Sequence, residues 1–111
     1  MDLKDRIAAH AALDEFRTID VPEWGENGVP LVIKYKPVTL GDLTDAYKLH
    51  PNDAVRQNVD ILCMKAMDED GKPLFKRIDA LHLMEKAAPD VLLRITRAMM
   101  GGLASDQAEK N

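Results

Sequence analysis

The stretch from Val55 to Gly71, VRQNVDILCMKAMDEDG, constrains the fold more than any other part of this chain. Val55, Val59, Leu62, Cys63 and Ala66 recur at the i, i+4, i+7, i+8 and i+11 steps of a helix with one apolar stripe against a core. Asp68-Glu69-Asp70-Gly71 predicts its end, because three carboxylates oppose the helix dipole at a C-terminus and glycine freely takes positive φ. The other segments are short, so the sequence predicts that they pack around this central helix.

A chain of 111 residues is expected to be one domain, burying roughly two-thirds of the surface that its unfolded form exposes. With 46% hydrophobic residues it can build a core without disulfides or metal. The lone Cys63 falls on the buried stripe, cannot pair within the chain and suits a reducing cytosol. No charged-then-apolar leader opens the sequence and no apolar run approaches membrane length, so a soluble protein without membrane contact is expected. Residues 1–30 hold seven acids against three bases, while the remaining 81 carry twelve of each, so the net charge of −4 lies wholly in the first segment. Nucleic-acid surfaces need clustered Lys and Arg, and this distribution argues against one.

Along the chain, residues 2–14 read as an alanine-rich helix. Thr18–Val21 and Leu31–Lys36 alternate as strands, and Pro22 to Gly28 supplies turn residues between them, with Asn27-Gly28 suited to left-handed geometry. Thr39 and Asp42 resemble a capping box that opens a helix through Leu49, with Leu40, Leu43, Ala46 and Tyr47 as its expected inward face. His50-Pro51-Asn52-Asp53 breaks the chain and offers Asn52 or Asp53 as cap of the central helix. Lys72 to Phe75 is extended. Ile78, Leu81, Leu83 and Met84 mark a helix to about Ala87, and Pro89 fits the first turn of a last helix striped by Val91, Leu92, Ile95, Ala98 and Met99. Gly101-Gly102 stops it. The expectation is an α+β fold, mostly α-helical, with about five helices and one β-hairpin near the N-terminus, spanning 1–103 and followed by a disordered polar segment, 104–111.

Catalytic chemistry finds little support. Asp68, Asp70 and Gly71 fail the register of a calcium loop: a loop starting at Asp68 puts Lys72 and Pro73 where a ligand and the required glycine belong. His10, His50 and His82 lack a second ligand at zinc spacing, and Cys63 has no neighbouring base to activate it. The only serine is Ser105, and no glycine-rich phosphate loop exists. The sequence therefore predicts a non-enzyme with no catalytic residue, metal or cofactor. A helix-turn-helix reading of 40–67 would offer Arg56, Gln57 and Asn58 to base edges, but Asp53, Asp60 and Asp68 to Asp70 would face the phosphates.

Two helices carry more apolar surface than one small core needs. Ile61 and Met64 form a second stripe on the central helix, and Leu93 and Met100 lie an i, i+7 step apart on the last. Such faces are either buried on two sides or contact another chain. Trp24, in the expected inter-strand loop, either lids the sheet or anchors a partner. Trp24, Ile61, Met64, Leu93 and Met100 are thus the candidate partner-binding residues, and self-association through the second stripes is expected.

The ordered set Val21-Pro22-Glu23-Trp24-Gly25, a strand, Asn58 before the Leu62-Cys63 helix, Asp68 to Phe75, and two helices ending in Gly-Leu resembles the small tail assembly chaperones of long-tailed (siphovirus-type) bacteriophages. The resemblance spans about Ile19 to Leu103, with Lys76-Arg77-Ile78-Asp79 and Met100 to Leu103 departing from the usual pattern. It implies a non-enzymatic chaperone of the bacterial host cytoplasm, absent from the mature virion. Such a chaperone coats the tape measure protein, keeps it soluble and leaves as tail tube protein polymerises. It also implies a longer product made by ribosomal slippage, and codons for Glu109-Lys110-Asn111 can contain the run A AAA AAC. The alternative is another structural phage part, such as a head–tail completion protein.

Overall fold

The computed structural model describes residues 1–101. In chain order they form α1 (Leu3–Ala11), β1 (Arg17–Glu26), β2 (Val29–Tyr35), α2 (Leu40–Leu49), α3 (Ala54–Lys65), α4 (Asp79–Lys86) and α5 (Pro89–Met99). The described residues thus form a helix-dominated α+β arrangement with one antiparallel hairpin near the N-terminus. The expected domain end at Leu103 and the segment 104–111 lie outside the described residues.

The hairpin turns on Asn27 and Gly28, both at positive φ (53° and 78°), as the two central residues of a twist-matched tight turn require. Its first strand is longer than the sequence predicts. Pro22 to Gly25 belong to β1, and these four residues stand opposite Pro30 alone in a wide bulge. Both prolines lack the N–H that a regular ladder needs, which favours such a break. Gly25 is required there: a Cβ on it would lie 2.0 Å from the Val29 carbonyl oxygen.

Beyond the hairpin, local capping chemistry fixes two helix starts. The Asp42 N–H donates to Thr39 Oγ1 and the Thr39 N–H to Asp42 Oδ2, each at 3.0 Å, so the capping box forms at α2. Asp53 Oδ1 accepts from the Arg56 N–H at 2.9 Å to start α3. Pro89 opens α5, and the Val38 N–H donates to Met99 O at 2.8 Å, tying the start of α2 to the end of α5.

The core lies where the inner hairpin face meets α3, α4 and α5. Val21 and Ile33 from the strands, Val59 and Leu62 from α3, and Ile95 and Met99 from α5 are all but fully buried there. Thr96 joins them, its hydroxyl donating back to Leu92 O at 3.2 Å. At roughly 25 cal/mol per Å² of apolar surface removed from water, this shared core is the main stabilising contribution.

Three expectations need correction. First, α3 ends at Lys65, short of Met67. Met67 instead exchanges two backbone hydrogen bonds with Lys34 (2.8 and 2.9 Å), adding a short third rung to the sheet, and the acidic run forms the turn beyond. In that turn Asp68 Oδ1 accepts from the Asp70 and Lys72 N–H groups, both at 2.9 Å. Second, Val55 is 61% exposed, because the core reaches α3 only from Val59 onward. Third, the inward face expected for α2 is mostly open: Ala46 is buried, whereas Leu40, Leu43 and Tyr47 are exposed. A single neighbouring helix, α3, cannot cover all four.

Candidate partner-binding surface

Helices α2 and α3 form an antiparallel hairpin held at both ends. Near its open end Lys65 Nζ lies 2.8 Å from Asp42 Oδ2. Burial acts to raise the Asp42 pKa, but the bonds from Lys65 and Thr39 outweigh it and hold the carboxyl below its ordinary value. Near the turn, buried Asp60 takes a hydrogen bond at Oδ2 from His50 Nδ1 and one at Oδ1 from Arg56 Nε at 3.3 Å. Gln57 Nε2 donates to His50 O at 2.7 Å. This cluster was not legible in the sequence, since His50 and Asp60 meet only after the chain reverses. It also turns Arg56 and Gln57 onto the chain's own groups, away from any base edge.

Between the two helices runs an open apolar groove of about 530 Å³, walled by Leu40, Leu43, Tyr47 and Ala54 with Ile61 among its lining residues. Ile61 is only 2% exposed, so the sequence expectation that it stands on a free second stripe is corrected: α2 covers it. Met64, 41% exposed, continues the same side of α3 one turn further on.

A second apolar opening lies between α3, α4 and α5. It encloses about 130 Å³ over Val59, Leu83 and Leu92, with exposed Val55, Met84 and Leu93 among its lining. Leu93 is 41% exposed, and Met100, 45% exposed, lies two turns along on the same side of α5. The sequence marked Leu93 but missed Val55 and Met84, whose helical stripes read as core-facing. Small apolar cavities rimmed by flexible Met and Leu side chains suit the apolar face of an amphipathic helix.

Trp24 belongs to neither opening. It sits half-buried in the bulge of β1, edge-on to Phe75 with ring centroids 6.4 Å apart and planes at 79°. Together they flank a shallow recess with Leu31, His82 and Lys86, so Trp24 packs as a lid over the hairpin's edge. Beside it, Arg94 donates through Nη1 and Nη2 to the two carboxylate oxygens of Glu23, both at 2.7 Å. This two-pronged bond, helped by the Glu23 backbone, draws the Glu23 pKa from 4.5 to about 2.

Cys63 is half-buried on α3, and burial with the nearby Asp60 and Asp79 charges pushes its thiol up to about 11. A thiol so shifted is protonated at neutral pH and a poor nucleophile. Among the described residues, no three His, Cys, Asp or Glu side chains are grouped to hold a metal ion. No described helix is long and apolar enough to cross a membrane.

No family model and no curated protein sequence matches the chain. Among solved structures, the bacteriophage HK97 tail assembly chaperone is similar to it with a TM-score of 0.60 and 17% identity, over 87% of this chain and 93% of that one. The chain has the fold of that tail assembly chaperone.

Proposed function

We propose that the chain is a non-enzymatic phage tail assembly chaperone that binds helical segments of a tape measure protein and keeps them soluble. The observation that carries this reading is an apolar opening, rimmed by Val55, Met84 and Leu93, on a domain with the fold of the HK97 tail assembly chaperone. A tape measure protein is mostly amphipathic helix, and a helix with i, i+3, i+4 anchors fits such an opening. Met100 extends the surface along α5, while Met64 and Trp24 lie on other faces and take a lesser share. The chaperone works in the bacterial host cytoplasm, hands the tape measure over as tail tube protein assembles, and is absent from the mature virion. It needs no cofactor, membrane or nucleic acid.

Gel filtration of the chain with and without a tape measure segment tests this. Co-elution at a larger size supports the chaperone reading, whereas a head–tail completion protein ignores the tape measure. Slippage at the codons of Glu109-Lys110-Asn111 belongs to the same proposal, and those residues lie outside the described ones. An A AAA AAC run with an overlapping downstream frame supports it. GAG at Glu109 or AAG at Lys110, with no G run at Gly101-Gly102, removes it.

A further inference from the structure

The charged and amide side chains of α3 are Arg56, Gln57, Asn58, Asp60 and Lys65. All but one are engaged within the chain: Arg56 donates to Asp60, Gln57 to His50 O, and Lys65 pairs with Asp42. Asn58 is the exception. Half-buried in the second turn of the helix, its carboxamide has no hydrogen-bond partner among the described residues. Asparagine is a poor helix former, because its amide competes for nearby backbone groups. Nothing in the packing of the described residues accounts for an amide at this position.

Its surroundings decide what it can bond. Asn58 stands on the crest of α3 and lines both the α2–α3 groove and the opening between α3, α4 and α5. The groove has other polar lining, and that lining is satisfied: Thr44 Oγ1 donates to Leu40 O at 3.0 Å and Gln57 Nε2 to His50 O at 2.7 Å. In the opening, Asn58 is the one polar side chain among the lining residues, beside Val55, Val59, Met84 and Leu93. A helix seated there with an unbroken apolar stripe takes water from the amide and offers no replacement, leaving its donors and acceptor unpaired. The backbone groups within such a helix are bonded internally, so only one of its side chains can stand in for that water.

We propose that Asn58 selects the docked helix and sets its register, by hydrogen-bonding one Gln or Asn side chain carried among that helix's apolar anchors. A carboxamide matches it best, since each amide offers both a donor and an acceptor and the two can exchange a pair of bonds. A single polar residue inside an apolar helix contact fixes register in coiled coils for the same reason: every other alignment buries an unpaired group. The inference rests on the opening being the tape measure site. It adds which helical segments are taken there, those with an amide interrupting the apolar stripe, and which are refused, those with apolar residues throughout.

Two synthetic amphipathic helical peptides test it, identical except for Leu or Gln at the central anchor of a leucine stripe. Fluorescence anisotropy measures the binding of each to the full chain as wild type, Asn58→Leu and Asn58→Ala. Leu93→Asp checks that binding occurs at this opening, and circular dichroism verifies that each variant keeps its helices. The expected result is that wild type holds the Gln peptide more tightly than the Leu peptide. Asn58→Leu reverses that order and Asn58→Ala abolishes the preference, the ratio of affinities shifting by about tenfold between wild type and Asn58→Leu. A wild type without preference, or a preference that survives in both Asn58 variants, overturns the role of Asn58 while the opening stands as a helix site. Failure of wild type to bind either peptide, or binding that Leu93→Asp leaves intact, overturns the site and this inference with it.

Discussion

Arg94 on α5 grips Glu23 in the bulge of β1 with both guanidinium arms, at 2.7 Å each, across 71 residues of sequence. This pair clamps the distal end of the hairpin to the last helix. Because the clamp lowers the Glu23 pKa from 4.5 to about 2 in the folded state, its contribution is complete above about pH 4.5 and is lost as pH falls towards 2. The pair is solvent-exposed, so salt weakens it too. Thermal melts of wild type and Glu23→Gln should differ at neutral pH and low salt and converge as pH falls to about 2. A gap that persists there assigns the effect of Glu23 to something other than its charge.

Ile61 and Leu93 should behave oppositely on truncation. Ile61 is buried, and Ile61→Ala should cost about 2–4 kcal/mol of folding stability in urea unfolding. Leu93 is 41% exposed, and Leu93→Ala should stay within about 0.5 kcal/mol of wild type. Equal costs at both positions would contradict the burial of Ile61 under α2.

Two glycines should respond with opposite signs. Gly25→Ala places a Cβ 2.0 Å from Val29 O and 2.8 Å from Pro30 Cα, so the hairpin end must shift, at about 1–3 kcal/mol. Gly41 lies in the first turn of α2 with only Thr39 Oγ1 near, at 3.6 Å, so Gly41→Ala should stabilise by about 0.5–1 kcal/mol. Thermal melts of the two single variants check both signs.

The features legible in the sequence were those decided by local chemistry. Thr39 with Asp42, Asp53, Asn27-Gly28 and Pro89 each mark a cap or turn that needs only near neighbours, and all four stand where expected. What escaped was decided by distant partners. Periodicity carried α3 to Met67, but Lys34 claims the Met67 backbone. Periodicity also names which residues share a face without naming the element that covers it. Leu40 and Val55 therefore read as core and stand exposed, while Ile61 read as surplus and is buried. Of the candidate surface, Leu93 and Met100 were visible because α5 has an unmistakable inward stripe that leaves them outside it. Val55 and Met84 were hidden because each shares a face with true core residues.

The central claim is that the opening around Leu93 keeps a tape measure helix in solution. Its most direct measurement is the soluble fraction of a tape measure protein co-expressed with wild type, with Leu93→Asp, or with no chaperone. Leu93 is exposed at the rim, so Leu93→Asp should remain folded, as circular dichroism verifies. The account predicts a soluble tape measure with wild type, and loss of most of that soluble fraction with Leu93→Asp as without chaperone. A tape measure equally soluble in all three, or equally rescued by Leu93→Asp, would contradict it.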